Sequence, residues 1–181
     1  MIPQRDLSLL SNRLAGGGGR RIPETVLERD YVLSWLLVGL SRSPLQDRLA
    51  FKGGPILRGY EEYRDLPEDA RVRAYSLNEV AVEKTVALLD RARNEPRDLY
   101  DLWFLTAGGH VDLADLKDAV ARKLEFRGLT LAQVREEFAG KEARFRKLWQ
   151  VRLAAQMVDL PQFGVAYREV RRALRQGGFT Q

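Results

Sequence analysis

Helix boundary signals recur along the chain and constrain its fold more than any other feature of the sequence. Pro23 and Pro96 each suit the first turn of a helix, because proline is preset to the helical φ and lacks the N–H that would go unbonded there. Ser76 and Glu79 fit a capping box, in which each residue satisfies a backbone N–H of the other. Gly108-Gly109 is typical of a helix C-terminus. The sequence therefore predicts a mostly α chain.

The apolar pattern between these signals places the elements. The helix that starts at Pro23 is apolar around most of its circumference, which predicts a buried helix. One or two short strands are expected, at 48–52 and 72–75, with a helical turn at 56–60. Helices are expected at about 23–40, 76–91, 96–107, 112–126, 130–138, 140–158 and 161–175.

Four consecutive glycines, Gly16–Gly19, follow a short N-terminal segment. They cost too much backbone entropy to lie inside a helix or strand, so they predict a flexible joint. The expected organisation is this segment and joint at 1–19, a second region at 20–109 and a helical C-terminal domain at 110–181. The formal net charge is +5, and the excess of Lys and Arg lies in the C-terminal third. A polyanionic partner is compatible with this charge.

Composition removes several classes of site. The 181-residue chain has no cysteine and one histidine, His110, to which no role is assigned. Disulfides, thiolate zinc sites, iron–sulfur clusters, a cysteine nucleophile and a histidine-rich metal site are thereby excluded. The longest near-apolar stretch, 31–40, is far shorter than the roughly 20 residues of a membrane span, and no signal peptide is recognisable. The expectation is a cytoplasmic protein with no membrane contact.

Three groups of residues in the first two thirds of the chain could carry chemistry. A Lys-Gly-Gly turn at 52–54 lies between a predicted strand and a helical turn, where backbone N–H groups can bind an anion; a plain tight turn has the same pattern. Lys84 shares a helix face with apolar residues, so it needs a carboxylate or phosphate partner unless its ammonium reaches solvent. Asp98 and Asp101 share a face of the next helix, through function or through the helix dipole.

An arginine stripe lies on the last predicted helix. Its spacing of i, i+3, i+4, i+7 places all members on one face, opposite an apolar face. Such a stripe is either a contact surface for nucleic-acid phosphates or a solvated helix face. Its members are Arg168, Arg171, Arg172 and Arg175.

Four segments occur in order along nearly the whole chain: 28–37 (ERDYVLSWLL), 51–54 (FKGG), 75–84 (YSLNEVAVEK) and 97–102 (RDLYDL). This succession resembles the AbiEii/AbiGii nucleotidyltransferase toxins of bacterial and archaeal toxin–antitoxin and phage-defence systems. The resemblance implies a polymerase-β-like nucleotidyltransferase core followed by a helical C-terminal domain. It also implies magnesium-dependent transfer of a nucleotide from an NTP to an acceptor such as tRNA.

The resemblance assigns roles residue by residue. The two glycines of the Lys-Gly-Gly turn would line the triphosphate, the lysine of the YSLNEVAVEK segment would contact the nucleotide phosphates, and the two aspartates of RDLYDL would lie at the active-site edge. The lysine of the Lys-Gly-Gly turn adds positive charge beside the glycines. In chain order these residues are Lys52, Gly53, Gly54, Lys84, Asp98 and Asp101.

The chain departs from the family pattern in two places. Pro55 follows the glycine pair where the family has a hydroxyl residue, which removes a hydroxyl and a backbone N–H donor. Only the short segment 59–74 separates Arg58 from Tyr75, and it lacks the Asp-x-Asp pair that the family uses to hold magnesium. Region 20–109 is therefore expected to be a truncated remnant of the α+β core, with nucleotide transfer impaired or lost.

Two hypotheses from different classes follow. In the first, a shortened enzyme stays active and recruits Glu68, Asp69 or the two aspartates of RDLYDL to hold magnesium. In the second, the chain is a non-catalytic relative whose helical half binds RNA or an antitoxin. A truncated sheet would leave an open strand edge, so either a homodimer or an antitoxin that covers the edge is expected.

Overall fold

The computed structural model describes residues 2–16, 21–50, 60–67, 70–154, 157 and 160–181. The chain divides into two compact units, Met1–Tyr75 and Ser76–Gln181. The division falls inside the region expected at 20–109. The mostly α fold is confirmed, and the described residues contain no strand. None of the helices within them has the length and apolar character needed to span a bilayer.

The first unit contains helices α1 (Gln4–Gly16) and α2 (Glu24–Ser41). The sequence assigned no secondary structure to the α1 segment, which forms a regular helix. Its apolar side chains pack with one stripe of α2 and with a turn that carries Tyr63. The core cluster described for this unit consists of Ile2, Leu7, Leu10, Leu27, Tyr31 and Tyr63.

The prediction that α2 is a buried helix is wrong for much of its surface. Its buried positions, Leu27, Tyr31, Ser34, Leu37 and Val38, lie on one side of the helix. On the other side, Val32 and Leu36 are more than half exposed. The helix is apolar on more of its surface than it buries, so composition alone overstated its burial.

The two expected strands have different outcomes. Residues 48–50 have no regular secondary structure, and 51–52 lie outside the described residues. In the second segment, 72–75, Ala74 makes a single β-bridge and no strand forms. The expected helical turn at 56–60 also lies almost wholly outside the described residues, as do residues 17–19 of the expected joint. The first glycine of that joint, Gly16, is instead the last residue of α1, because a helix end tolerates glycine better than a helix interior does.

The second unit is a helical domain that follows the predicted boundaries closely. Ser76 and Glu79 form the expected capping box, Pro96 occupies the first turn of its helix, and Gly108 caps that helix at its C-terminus. The expected helix at 130–138 is instead two short helices. The helices are α3 (Leu77–Leu89), α4 (Pro96–Ala107), α5 (Lys117–Phe126), α6 (Leu131–Val134), α7 (Glu137–Gly140), α8 (Glu142–Leu153) and α9 (Phe163–Gln176), with a 3-10 turn at Ala114–Leu116 before α5.

Helix α3 is the most buried helix of this unit. It packs against α4, α5 and α7, and α4 in turn packs against α8 and α9. From Ala81 to Leu89, every residue of α3 except Lys84 is buried. The one lysine of α3 therefore lies where the apolar core of the second unit meets solvent.

Candidate functional site

The candidate site is built around Lys84. Its side chain is 22% exposed, and its Nζ lies 2.8 Å from Asp98 Oδ1 and 2.6 Å from Asp101 Oδ2. The sequence left two kinds of anionic partner open for this lysine. Among the described residues, the partners are two carboxylates of the same chain.

Helix α4 supplies both carboxylates. Asp98 lies in its first turn, where a negative charge also interacts favourably with the helix dipole, and Asp101 follows one turn later on the same face. The Asp98 side chain is only 2% exposed, whereas that of Asp101 is 26% exposed. The first carboxylate is therefore enclosed by the fold, and the second is accessible to ligands.

Arg93 is a member of this site that the sequence analysis missed. It lies in the connection between α3 and α4, and its Nε donates to Asp98 Oδ2 at 2.6 Å while Nη2 donates to Oδ1 at 3.2 Å. Both oxygens of the buried Asp98 carboxylate are thus bonded to cations. No periodic pattern marks a residue in an irregular connection, so no sequence signal pointed to this arginine.

The four side chains form a cluster with balanced charge, which we call the Lys84 cluster: Lys84, Arg93, Asp98 and Asp101. Partial burial lowers the pKa of Lys84, but the hydrogen bonds and charges of Asp101 and Asp98 outweigh this and raise it above the ordinary value. Lys84 is therefore a cation at neutral pH. It can bind an anion, but it cannot serve as a general base.

A second ion-paired group supports α3 from the other direction. The Glu83 carboxylate, nearly buried, lies 2.5 Å from Lys123 Nζ of α5, and Arg127 Nη1 lies 3.3 Å from Asp90 Oδ2. These pairs join α3 and its C-terminal end to α5. They hold α3, the helix that carries Lys84, in place against α5.

The described carboxylates do not fit a magnesium site. Magnesium is held by carboxylate oxygens together with waters and substrate phosphates. Both candidate carboxylates already bind the Lys84 ammonium, and within the described ranges no group of three or more His, Cys, Asp or Glu side chains could hold a metal ion. Glu68 and Asp69, the other carboxylates suggested by the sequence, lie outside the described residues.

The remaining predicted site residues fall into two groups. Lys52, Gly53 and Gly54, the expected nucleotide-binding turn, lie outside the described residues, as does Pro55. The arginine stripe lies on α9, and all its members are exposed. The opposite face of α9 is buried, and Trp103 Nε1 donates to Glu169 Oε2 at 2.6 Å, which ties α9 to α4.

His110, which received no role, is exposed after α4. Its ring stacks on Phe104 with centroids 5.5 Å apart.

A sequence model of the family described as nucleotidyl transferase AbiEii toxin, type IV toxin–antitoxin system, matches residues 55–176, about two thirds of the chain. Comparisons with curated proteins and with solved structures found no significant match. The matched range contains the whole Lys84 cluster and every helix from α3 to α9. The chain belongs to the AbiEii nucleotidyl transferase toxin family.

Proposed function

We propose that nucleotide transfer is impaired or lost in this AbiEii-family protein, and that Lys84 binds carboxylates of its own chain where a nucleotidyltransferase would bind NTP phosphates. The observation that carries the proposal is the pair of ion bridges from Lys84 Nζ to Asp98 and Asp101, at 2.8 and 2.6 Å.

Charge balance in the Lys84 cluster supports this proposal. Two cations face two carboxylates, so the cluster has no net positive charge with which to attract a triphosphate. Two of the three N–H donors of the Lys84 ammonium are engaged by carboxylates, so a phosphate oxygen at Lys84 would compete with them. Asp101 is the one that a ligand could displace, because Asp98 is buried and is also bonded to Arg93.

The sequence of the catalytic region supports the same conclusion. The segment between Arg58 and Tyr75 has no Asp-x-Asp pair, and the described carboxylates do not fit magnesium. Phosphoryl-type transfer depends on cations that neutralise charge developing on the transferred group. No step of nucleotide transfer is therefore assigned to the residues of this cluster.

The test is incorporation of label from each of four α-labelled NTPs into total tRNA, with magnesium present. The proposal expects no incorporation above that of Lys84→Ala. Lys147→Ala is the matched control, since this exposed lysine of α8 lies outside the cluster. Incorporation by the unaltered protein and by Lys147→Ala, but not by Lys84→Ala, would establish the shortened active enzyme and refute the proposal.

A second candidate function is RNA binding through α9. It is favoured by the arginine stripe, whose four guanidinium groups are exposed on one side of a helix held by its buried opposite side. Cations at this spacing can contact successive phosphates, and their contribution to affinity falls as salt rises. In this candidate the helical unit binds RNA without modifying it.

Salt-dependent binding of total tRNA tests this candidate. Changing Arg171 and Arg172 to Ala is expected to reduce the slope of log affinity against log salt by about 0.7 for each phosphate that the variant no longer neutralises. Arg5→Ala with Arg29→Ala removes the same charge from exposed positions of the first unit and should leave the slope unchanged. Equal effects of the two double variants, or no binding at all, would reject the stripe as an RNA surface.

A cognate antitoxin is the proposed protein partner, since the family belongs to toxin–antitoxin systems. A homodimer is the alternative. Size-exclusion chromatography with light scattering distinguishes them: a clean monomer that forms a complex with the product of an adjacent antitoxin-like gene supports the antitoxin, and a dimer of this chain alone supports self-association.

A further inference from the structure

A second lysine of the helical unit, Lys141, is buried but has no carboxylate bonded to it in the described structure. It lies between α7 and α8, with 5% of its surface exposed. Its Nζ donates to the backbone carbonyls of Leu88 at 2.7 Å, of Arg93 at 2.9 Å, and of Asp90. The ammonium therefore lies against the C-terminal end of α3 and the connection that follows it.

The hydrogen bonds of Lys141 match its donors completely. An ammonium has three N–H donors, and three carbonyl oxygens accept them. The last carbonyls of a helix have no partner within the helix and carry its negative dipole end. Lys141 thus bonds the last-turn carbonyl of Leu88 and the carbonyl of Arg93, while the Asp90 carbonyl accepts in addition from the Arg93 N–H.

These bonds fix the backbone from which Arg93 reaches the Lys84 cluster. Lys141 holds the connection near its start, at Leu88 and Asp90, and again at Arg93 itself. The guanidinium of Arg93 then bonds both oxygens of Asp98. The contacts form one continuous series from Lys141 through the connection to the buried carboxylate of Asp98.

We infer that Lys141 is a positioning residue, which holds the α3–α4 connection in the conformation that lets Arg93 pair with Asp98. This role lies outside the proposed function, because it holds whether or not the chain transfers nucleotides. The pairing of Arg93 with Asp98 would then depend on a residue that is distant in sequence. That residue lies at the junction of α7 and α8, which contribute no side chain to the Lys84 cluster.

The charged groups around Lys141 make its role sensitive to pH. Burial lowers the pKa of Lys141 to about 8, while the carboxylates of Asp90, Glu137 and Asp98 act in the opposite direction. Glu142 is its neighbour in the chain, and Arg93 is the cation on the connection. Loss of the proton leaves two donors for three carbonyls, so the connection should loosen as the pH rises through that value.

The experiment measures how fast phenylglyoxal, an arginine-selective reagent, modifies Arg93 relative to Arg91, using peptide mass spectrometry on the full chain. Arg91 is an exposed arginine of the same connection and serves as the internal reference. Lys141→Met keeps the volume but removes every donor. It is expected to raise the Arg93/Arg91 ratio at least about fivefold, toward the ratio of the denatured protein, because the charge-assisted bonds to Asp98 are broken.

The control is Lys147→Met, an exposed lysine on α8, which should leave the ratio unchanged. An unchanged ratio in folded Lys141→Met would overturn the inference. If that variant does not fold, a pH series on the unaltered protein decides instead: the ratio should rise between about pH 7 and 9, and a constant ratio would contradict the positioning role.

Discussion

The two units differ in what their cores are made of. Among the described residues of the second unit one cluster joins 24 buried apolar residues, from α3 to the segment after α9, whereas the described cluster of the first unit has six, two of them tyrosines. These tyrosines depend on polar partners: Tyr31 Oη bonds Asp65 Oδ2 at 2.5 Å, and Tyr63 Oη donates to the Leu27 carbonyl at 2.9 Å. A large apolar core can enclose a charged cluster, and the Lys84 cluster lies in the unit that has one.

The family match covers mainly the second unit. It includes the whole of α3 to α9, and it begins at residue 55, which lies after α1 and α2 but still within the first unit. Family membership therefore rests mainly on the second unit, and the candidate site lies within it. Substitutions in each unit can break or sharpen this contrast, beginning with the largest expected effect.

Removal of a large core side chain from the second unit should have the greatest effect. Phe145 on α8 is fully buried, so Phe145→Ala should lower the free energy of unfolding by about 3–5 kcal/mol through reduced burial and a new cavity. Urea unfolding followed by circular dichroism measures it. Val151→Ala on the same helix is the control, because Val151 is 77% exposed and the change should stay within about 0.5 kcal/mol. Similar losses in the two variants would show that α8 does not pack as described.

Within the Lys84 cluster, burial should separate the two aspartates. Asp98→Asn removes the charge that two cations share at a nearly buried position and should cost about 2–3 kcal/mol, less than a fully buried pair because Lys84 and Arg93 are partly exposed. Asp101→Asn, at a more exposed position, should cost less than about 1 kcal/mol. Urea unfolding of the two variants gives the comparison, and equal losses would mean that Asp98 is not the enclosed member.

In the first unit a single hydroxyl should matter. Burial raises the pKa of Tyr63, with a further contribution from the Asp30 charge, so its hydroxyl stays protonated and donates to the Leu27 carbonyl. Tyr63→Phe should cost about 1–1.5 kcal/mol, the value of one buried hydrogen bond. Hydrogen exchange resolved by peptide should show the loss in α1 and α2. A loss spread equally over α3 to α9 would contradict the description of two separate compact units.

The smallest effect is expected at the start of α3. The Ser76 hydroxyl accepts from the Glu79 N–H at 3.2 Å, so Ser76→Ala should cost about 0.5–1 kcal/mol.

The second half of the same capping box should depend on pH. The hydrogen bond from the Ser76 N–H lowers the pKa of Glu79, so the stabilisation by this bond is present above the ordinary glutamate pKa and is lost as the pH falls through the lowered value. In Glu79→Gln the free energy of unfolding should therefore depend less steeply on pH in this acid range. The same pH dependence in the variant and in the unaltered protein would show that the capping carboxylate does not contribute.

The sequence predicted local structure better than it predicted partners. The helix boundaries predicted from Ser76, Pro96 and Gly108 are confirmed, because each of these residues acts on the backbone within a few residues of itself. The choice of carboxylates for Lys84 depended on how α3 and α4 pack, which the spacing of residues on one helix does not specify. Lys141 could not be found at all, because its acceptors are backbone carbonyls and any sequence provides those.

The burial of α2 shows a related limit. Its composition is compatible with burial on all sides, but the face opposite its buried stripe leaves Val32 and Leu36 exposed. Hydropathy measures what a helix can bury, and the neighbouring elements determine how much it does bury.

The central claim is that two carboxylates of the chain bind the Lys84 ammonium where phosphates would otherwise bind. Titration with inorganic tripolyphosphate tests this claim most directly. Isothermal titration calorimetry of the unaltered protein should show no tripolyphosphate binding that depends on Lys84. Asp101→Asn should bind tripolyphosphate at least about tenfold more tightly, because one carboxylate no longer competes for Lys84 and the cluster gains a net positive charge. Tight binding by the unaltered protein that is lost in Lys84→Ala and not improved in Asp101→Asn would contradict the account.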